Sequence, residues 1–209
     1  VSFLFDCVFC IIISTPLDFI FIMLSEQEVI KLLKKELKLP DSWEDADRFG
    51  SGRVLTTDSL CDGDDFPRGM SARAKGWMSA CAQLSDLAAC NATPDALAFS
   101  WMIPKGLNAR NITEIASGIR DCASYSNARV IGGDVNGGDK LILTGAGVGH
   151  ARRLVSRRGA VQGDVLAVTG LLGASAAGYL ILKQGLRVQG GGKLVKLFSY
   201  PLPRLRQMH

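Results

Sequence analysis

The sequence predicts an α/β (α+β) fold, a mixed sheet with flanking helices, followed by an incomplete second α/β domain. Helix-like and strand-like patterns alternate over residues 25–149, an order that is typical of one sheet covered by helices. The apolar fraction of 47% and the charged fraction of 21% are those of an ordinary globular protein. From residue 150 onward only one more strand and one more helix are indicated, too few to enclose a core.

The first predicted elements are a helix over residues 25–39 and a strand over residues 53–57. Ser25 and Glu28 have the spacing of a capping box in front of a helical repeat of apolar residues. Pro40 ends this helix, because proline has no N–H to donate and its ring clashes with the preceding turn.

The middle of the first domain predicts a long helix over residues 71–90, after a loop over residues 61–70 that is rich in Asp, Gly and Pro. One face of this helix repeats side chains at helical spacing: Trp77, Met78, Cys81, Leu84 and Ala88. The elements that follow are a buried strand, an amphipathic helix and two strands, over residues 96–103, 111–123, 128–131 and 140–147.

A second unit is predicted beyond the basic, glycine-containing stretch at residues 149–159. It begins with a strand over residues 165–169 and a helix of small residues over residues 174–183. We therefore expect three parts in the chain: an apolar extension over residues 1–24, a first domain over residues 25–149, and the opening of a second domain over residues 150–209.

Residues 1–24 form an apolar extension that fits neither a transmembrane helix nor a signal peptide well. Asp6 and Asp18 would each cost about 2.5–3.5 kcal/mol at the centre of a membrane span. The basic region and the cleavage site of a signal peptide are not evident. A start at Met23 would lie just before the capping box, so we expect that start rather than a membrane-tethered form.

Composition narrows the chemistry that this chain supports. The net charge of +4 is too small to indicate a nucleic-acid partner. The two histidines, His150 and His209, disfavour an imidazole-based catalytic scheme and a zinc site. The six cysteines are spread along the chain, as reduced thiols of a cytoplasmic protein are, and the C-x-x-C pair of Cys7 and Cys10 has no second pair to complete it.

Four aspartates indicate a site for a divalent cation and phosphate. Asp58 and Asp134 each follow a predicted strand, and Asp45 belongs to an acidic stretch. Asp86 lies in an apolar helix, where an unpaired charge is costly. Mg²⁺ uses a few carboxylates together with substrate phosphates, which suits scattered aspartates. Taken singly, each of them is equally compatible with a turn or a helix surface.

Two further segments have a phosphate-binding interpretation and a structural one. Four arginines could neutralise a polyphosphate or could line a solvated loop between domains: Arg152, Arg153, Arg157 and Arg158. Residues 170–178 are rich in glycine and open a helix, but they lack the Lys-Ser/Thr of a P-loop. Close packing of that helix on a sheet explains the glycines equally well.

Four motifs stand in one order along the chain: T-T-D-S-L at residues 56–60, L-S-D-L-A-A at residues 84–89, G-G-D at residues 132–134, and R-R-G-A-V-Q-G-D at residues 157–164. In this combination the chain resembles the thiamine-monophosphate kinases, from about residue 24 onward. The wider superfamily also holds aminoimidazole ribonucleotide synthetase, selenophosphate synthetase and a hydrogenase-maturation dehydratase. The resemblance implies the N-terminal domain of the aminoimidazole ribonucleotide synthetase-like fold.

The resemblance also implies an activity and a site. The activity is direct transfer of the γ-phosphate of ATP to thiamine monophosphate, giving thiamine diphosphate, with several Mg²⁺ ions and no protein nucleophile. The implied Mg²⁺ ligands are Asp45, Thr56, Thr57, Asp58, Asp86 and Asp134. The implied ATP contacts are Gly133, Asp134 and Arg157, with Arg158 as a competitor for the arginine's role. A homodimer formed through the N-terminal domain is implied as well.

Three departures from the family's pattern shape these expectations. The family's Gly-Asp-Asp-x-Ala appears as W-E-D-A-D at residues 43–47, and Asp65, before Phe66, replaces a histidine that contacts substrate. The second-domain Asp-x-Ser-Asp-Gly motif is absent, so we expect a fragment with little or no activity by itself. The alternatives are another ATP-dependent enzyme of the superfamily, such as an aminoimidazole ribonucleotide synthetase, and a non-catalytic nucleotide-binding or dimerisation remnant.

Overall fold

The computed structural model describes residues 25–39, 44–170 and 172–207. The predictions for residues 1–24 therefore lie outside the described residues. The chain divides into two compact units, with the boundary between Glu44 and Asp45. None of the helices in the described ranges combines the length and the apolar character that a membrane crossing requires.

The smaller unit contains helix α1 (Glu26–Leu37), and its predicted capping box is confirmed. The Glu28 N–H donates to Ser25 Oγ at 3.3 Å, and the Ser25 N–H donates to the Glu28 carboxylate at 2.7 Å. The helix ends at Lys38, whose backbone is left-handed (φ 53°) and whose N–H donates to carbonyls of the last turn.

The larger unit is built on one five-stranded mixed sheet, which confirms the predicted fold class. The strands are β1 (Asp47–Phe49), β2 (Arg53–Cys61), β3 (Thr93–Pro104), β4 (Arg129–Gly138) and β5 (Ile142–His150). Their order in the sheet is β1-β2-β5-β3-β4. The β3–β4 pair is parallel and the other three pairs are antiparallel. The short edge strand β1 was not predicted.

Two helices, α2 (Ala72–Ala89) and α3 (Ala109–Tyr125), pack on one face of the sheet. The side chains of Ser71 and Asn108 cap their first turns. The two helices touch backbone to backbone. A Cβ on Gly76 would lie 1.9 Å from the carbonyl oxygen of Ile115, and a Cβ on Gly118 would lie 1.9 Å from that of Arg73.

The larger unit has two apolar cores. The main core fills the space between the sheet and the two helices, and it includes Leu84, Leu97, Phe99, Ile115 and Leu143. A second, smaller core lies around the C-terminal end of α2 and consists of Ala46, Val54, Leu87, Cys90, Ala92 and Ala151. This second core joins the segment before β1, strand β2, the end of α2 and the segment after β5.

The chain beyond β5 contains helices α4 (Ala174–Gln184) and α5 (Gly191–Ser199) and a short 3₁₀ helix (Leu205–Gln207). The predicted helix over residues 174–183 is confirmed, whereas the predicted strand over residues 165–169 is wrong. A strand needs a hydrogen-bonded neighbour, and Val165 and Leu166 are instead 74% and 71% exposed. Helix α5 was not predicted, because three glycines precede and open it. The domain boundaries stay a prediction.

Candidate acidic site at the end of helix α2

Strand β2 contributes Thr56 and Asp58 from within its length. Asp58 and Asp134 were predicted at strand ends, and this is wrong, because both lie inside their strands. Strand β2 continues to pair with β5 as far as Cys61, and β4 continues to pair with β3 as far as Gly138. Pairing with a neighbour extends both strands past the aspartates.

Helix α2 brings Asp86 against this strand. Thr56 Oγ1 donates a hydrogen bond of 2.6 Å to Asp86 Oδ2, and Thr56 is buried. The pKa of Asp86 is raised to about 7, chiefly because burial disfavours the charged carboxylate. The bond from Thr56 and the positive Arg157 lower this pKa, while the negative charges of Asp58 and Asp45 raise it. These five side chains therefore share one electrostatic environment.

Asp45 and Arg157 form an ion pair in this environment. Arg157 donates from Nε to Asp45 Oδ2 at 3.0 Å and from Nη2 to Asp45 Oδ1, the two-point geometry that arginine also uses for phosphate. The carboxylate of Asp45 is largely buried, while the guanidinium of Arg157 is exposed. The backbone N–H of the neighbouring Arg158 donates to Ser156 Oγ at 3.1 Å.

The loop after β2 adds a further acid beside Asp58. Asp65 accepts the Cys61 N–H at 2.8 Å, and burial raises the pKa of Asp65. Asp58 keeps contact with solvent, yet its pKa is also raised, chiefly by partial burial and further by the negative charge of Asp65. The hydrogen bond from the Ser59 N–H lowers the pKa and offsets part of this rise. A salt bridge of 2.5 Å between Lys75 and Asp62 ties this loop to α2.

Asp134 and Thr57 do not join this cluster within one chain. Asp134 pairs in register with Ser100, which pairs with Thr144, whose hydroxyl lies 2.8 Å from that of Ser59. Residues that pair across a sheet point to the same face, so Asp134 shares the face of Ser59. Asp58 is next to Ser59 in β2 and points to the opposite face, because successive side chains of a strand alternate. Three strand spacings, about 14 Å, separate the strands of Asp58 and Asp134. Thr57 alternates with Thr56 and faces the same side as Asp134.

Gly133 also lies on β4, beside Asp134. Its φ is 157°, and a Cβ there would lie 1.7 Å from the carbonyl oxygen of Phe99. Only glycine therefore fits at this position. Asp134 itself accepts a hydrogen bond from Asn136 Nδ2.

Two residues around the cluster, Gln83 and Cys90, were not predicted from the sequence. Gln83 is buried on α2, and its Nε2 donates to the carbonyl oxygen of Asp58 at 3.3 Å. Within the described part of the chain, its Oε1 has no donor. Gly145 and Gly147 on β5 make room for this side chain, so alternating glycines in a buried strand were the available signal. The second residue that was not predicted is Cys90, which lies in the second core.

The arrangement supplies oxygen donors rather than a complete metal cage. Over residues 25–39, 44–170 and 172–207, no three His, Cys, Asp or Glu side chains converge on one point. Chemically, the cluster offers the three carboxylates of Asp45, Asp58 and Asp86, the buried hydroxyl of Thr56 and the guanidinium of Arg157. Such a set can bind a hard cation and a phosphate together.

The family model for AIR synthase related protein, N-terminal domain, matches residues 44–151. The chain belongs to this family. The match spans the sheet, α2, α3 and the second core. It ends just before the segment that carries Arg157.

Several thiamine-monophosphate kinases are similar to this AIR synthase related chain. That of Halobacterium salinarum is 37% identical over 132 residues, which is 63% of this chain and 46% of the relative. That of Archaeoglobus fulgidus is 30% identical over 192 residues, which is 88% of this chain and 64% of the relative. The chain thus spans about half to two thirds of the length of these relatives.

Solved structures agree with the AIR synthase related fold. The thiamine monophosphate kinase of Aquifex aeolicus superimposes with a TM-score of 0.82 at 27% identity, over 88% of this chain and 62% of that one. AaThiL complexed with AMPPCP and TMP gives a TM-score of 0.81 at 27% identity, over 88% and 61%. The resemblance predicted from the motifs and the predicted fold are therefore confirmed.

Proposed function

We propose that this chain is the nucleotide- and cation-binding part of a thiamine-monophosphate kinase. The reaction would transfer the γ-phosphate of ATP directly to the phosphate of thiamine monophosphate and give thiamine diphosphate. The observation that carries the proposal is the electrostatic environment that Asp45, Asp58, Asp86 and Arg157 share at the end of α2, together with the ion pair of Arg157 and Asp45. The relatives carry this activity in their names, and AaThiL is complexed with AMPPCP and TMP.

The donor set fits Mg²⁺. All the donors are oxygens, and Mg²⁺ commonly takes one or two carboxylates while water and substrate phosphates fill the rest of its octahedron. We assign this role to Asp45, Thr56, Asp58 and Asp86, with Thr57 and Asp134 as the further ligands that the motifs indicate. When bound, Mg²⁺ would neutralise the phosphates and hold the reacting groups in line.

Arg157 has a defined part in the proposal. Its guanidinium binds the Asp45 carboxylate through two hydrogen bonds, and a phosphate group offers the same two-oxygen geometry. Nucleotide binding would therefore exchange the partner of Arg157 from Asp45 to a phosphate. The exchange would also release the Asp45 carboxylate for a cation.

We also propose a homodimer and a cytoplasmic location. The sheet face opposite to α2 and α3 exposes Phe49, Leu55 and Met102, which favours burial against a second copy. Gly133 and Asp134 would then meet the nucleotide of the partner. The location rests on the spread of cysteines along the chain.

Calorimetric titration of the chain with AMPPCP tests the binding step. We expect binding in Mg²⁺ and none in EDTA. Asp86→Asn should abolish the binding, because an amide carries no charge for the cation. Asp139→Asn, an exposed aspartate in the turn after β4, is the matched control and should bind normally. Normal binding by Asp86→Asn would remove the proposal.

Asp65 favours a second candidate, an ATP-dependent enzyme of the same family with a different acceptor. A carboxylate beside Asp58 repels a phosphate, so the acceptor would be less anionic or would bring its own cation. The two candidates are separated by the acceptor. If thiamine monophosphate does not raise the affinity for AMPPCP, and an acceptor without a phosphate group does, the second candidate is correct.

A further inference from the structure

Cys90 lies where the polypeptide segments of the acidic site meet. It caps α2 one turn after Asp86, and its N–H donates to the Asp86 carbonyl oxygen at 3.1 Å. The residue is 2% exposed and belongs to the second core. The position of Asp86 is therefore coupled to that of Cys90 through helix geometry.

The sulfur of Cys90 holds the segment that carries Asp45. The Ala46 N–H donates to Cys90 Sγ at 3.3 Å, and the thiol donates to the Ala46 carbonyl oxygen at 3.7 Å. Ala46 directly follows Asp45 and is itself buried. One side chain thus contacts both polar groups of the residue next to Asp45.

The backbone of Cys90 holds the segment that carries Arg157. The Val155 N–H donates to the Cys90 carbonyl oxygen at 3.2 Å. Next to it, Asn91 Nδ2 donates to the Arg153 carbonyl oxygen at 3.1 Å. Both bonds hold the loop just before Arg157. The position of Arg157 in its ion pair with Asp45 therefore depends on contacts made by Cys90 and Asn91.

The surrounding core cannot fix this arrangement by itself. Its other members are aliphatic or alanine side chains, and apolar contact is not directional. Hydrogen bonds depend on distance and angle, so they decide how far each segment can slide. In this core, the sulfur of Cys90 makes such bonds to the backbone N–H and the carbonyl oxygen of Ala46.

We propose that Cys90 is a positioning residue that sets the separation of Asp45 and Arg157 from Asp86. The proposal rests on the proposed function, because it gives these three side chains a common ligand. Cys90 does not touch that ligand. It acts by holding Ala46 and Val155 against the end of α2.

Binding of Mn²⁺, a paramagnetic substitute for Mg²⁺, to the full chain tests the proposal by electron paramagnetic resonance. Cys90→Ala should weaken Mn²⁺ binding in the presence of AMPPCP about 10-fold, the usual effect of losing a residue that orients metal ligands. Cys81→Ala is the matched control. Cys81 is also 2% exposed and on α2, but it lies in the main core, near Ser85 Oγ (3.6 Å).

The control should leave Mn²⁺ binding within about twofold of the wild type while it lowers the melting temperature as much as Cys90→Ala does. Cys90→Ser keeps a donor and an acceptor and should restore part of the affinity. Cys90→Val keeps the core filled without hydrogen bonds and should lose affinity like Cys90→Ala. If the alanine variant does not fold, the Mn²⁺ affinity of Cys90→Val tests the proposal in its place.

Equal losses in the Cys90 and Cys81 variants would overturn the proposal, since the effect would then be one of stability. Wild-type affinity in Cys90→Val, together with loss of binding in Asp86→Asn, would overturn it and leave the proposed function standing. Absence of Mn²⁺ and AMPPCP binding in the wild-type chain would overturn both.

Discussion

At the scale of single residues, Asp86 combines two opposing requirements. A carboxylate binds a cation only after it has lost its proton, yet burial raises the pKa of Asp86 to about 7. Thr56 offsets part of this effect with a hydrogen bond to the carboxylate. Without a cation, the charged form of Asp86 therefore destabilises the folded chain at neutral pH, and a bound cation would remove that cost.

This conflict predicts how Asp86→Asn changes stability. The pKa of Asp86 is about 7 in the folded chain and 3.8 for the free group, so between these values the folded state holds the extra proton. The stability from this group is complete below about pH 4 and is lost as the pH rises through 7. In EDTA, Asp86→Asn should therefore melt a few degrees above the wild type at pH 8.

Thermal melting in EDTA between pH 5 and pH 8 measures this difference. The gap between the variant and the wild type should narrow toward pH 5, because folded Asp86 is protonated there and only its ionisation in the unfolded chain still favours unfolding. Asp139→Asn should follow the wild type throughout. A gap that does not depend on pH would contradict the raised pKa of Asp86.

The sequence predicted which residues make up this cluster better than it predicted what surrounds them, and the roles of these residues stay a prediction. The motifs identified Asp45, Asp58, Asp86 and Arg157, and the fold brings the four together. The role of Cys90 could not be predicted, because it depends on hydrogen bonds to Ala46, 44 residues away in the chain. A sequence motif indicates which chemistry a side chain is capable of. The residues that it contacts are set by the fold and are not contained in the motif.

At the scale of elements, the contact of α2 with α3 depends on two glycines. Gly76 and Gly118 each lie against backbone atoms of the other helix, so the separation of the helices is set by the absence of side chains. Helix α2 carries Asp86 near its last turn. A change in the separation of the two helices would therefore shift α2 and, with it, Asp86.

Gly118→Ala should destabilise the chain although alanine is the better helix former. The propensity gain is about 1 kcal/mol, but the new Cβ would lie 1.9 Å from the Arg73 carbonyl oxygen, and forcing the helices apart costs typically about 1–3 kcal/mol or more. Urea denaturation should show a lower midpoint. Gly192→Ala in α5, with no atom within 4 Å of the new Cβ, is the control and should be neutral or stabilising.

The elements that the sequence failed to predict share one cause. Strand β1 is short, helix α5 opens with glycines, and residues 165–169 have the composition of a strand without forming one. In each case tertiary pairing or packing overrides local propensity. The long periodic elements α2, α3 and β3 were predicted well because their burial pattern repeats many times.

At the scale of the whole molecule, the residues of the proposed site lie on both faces of the sheet. Asp58 and Asp86 lie on the face covered by the helices, whereas Asp134 belongs to the row of Ser59, Thr144 and Ser100 on the other face. About 14 Å of sheet separates the two groups in one chain. Strand register, which a motif does not contain, decides this separation.

The proposed homodimer predicts that two defective chains restore each other. If each site combines Asp86 of one copy with Asp134 of the other, neither Asp86→Asn nor Asp134→Asn should bind Mg²⁺ and AMPPCP alone. Coexpressed, half of the dimers would be mixed, and each mixed dimer would hold one intact site, so about a quarter of the wild-type sites should return. Calorimetric stoichiometry measures this fraction, and sedimentation should show a dimer. No recovery from a dimeric mixture would mean that Asp134 acts outside the site, and a monomer would remove the proposed dimer.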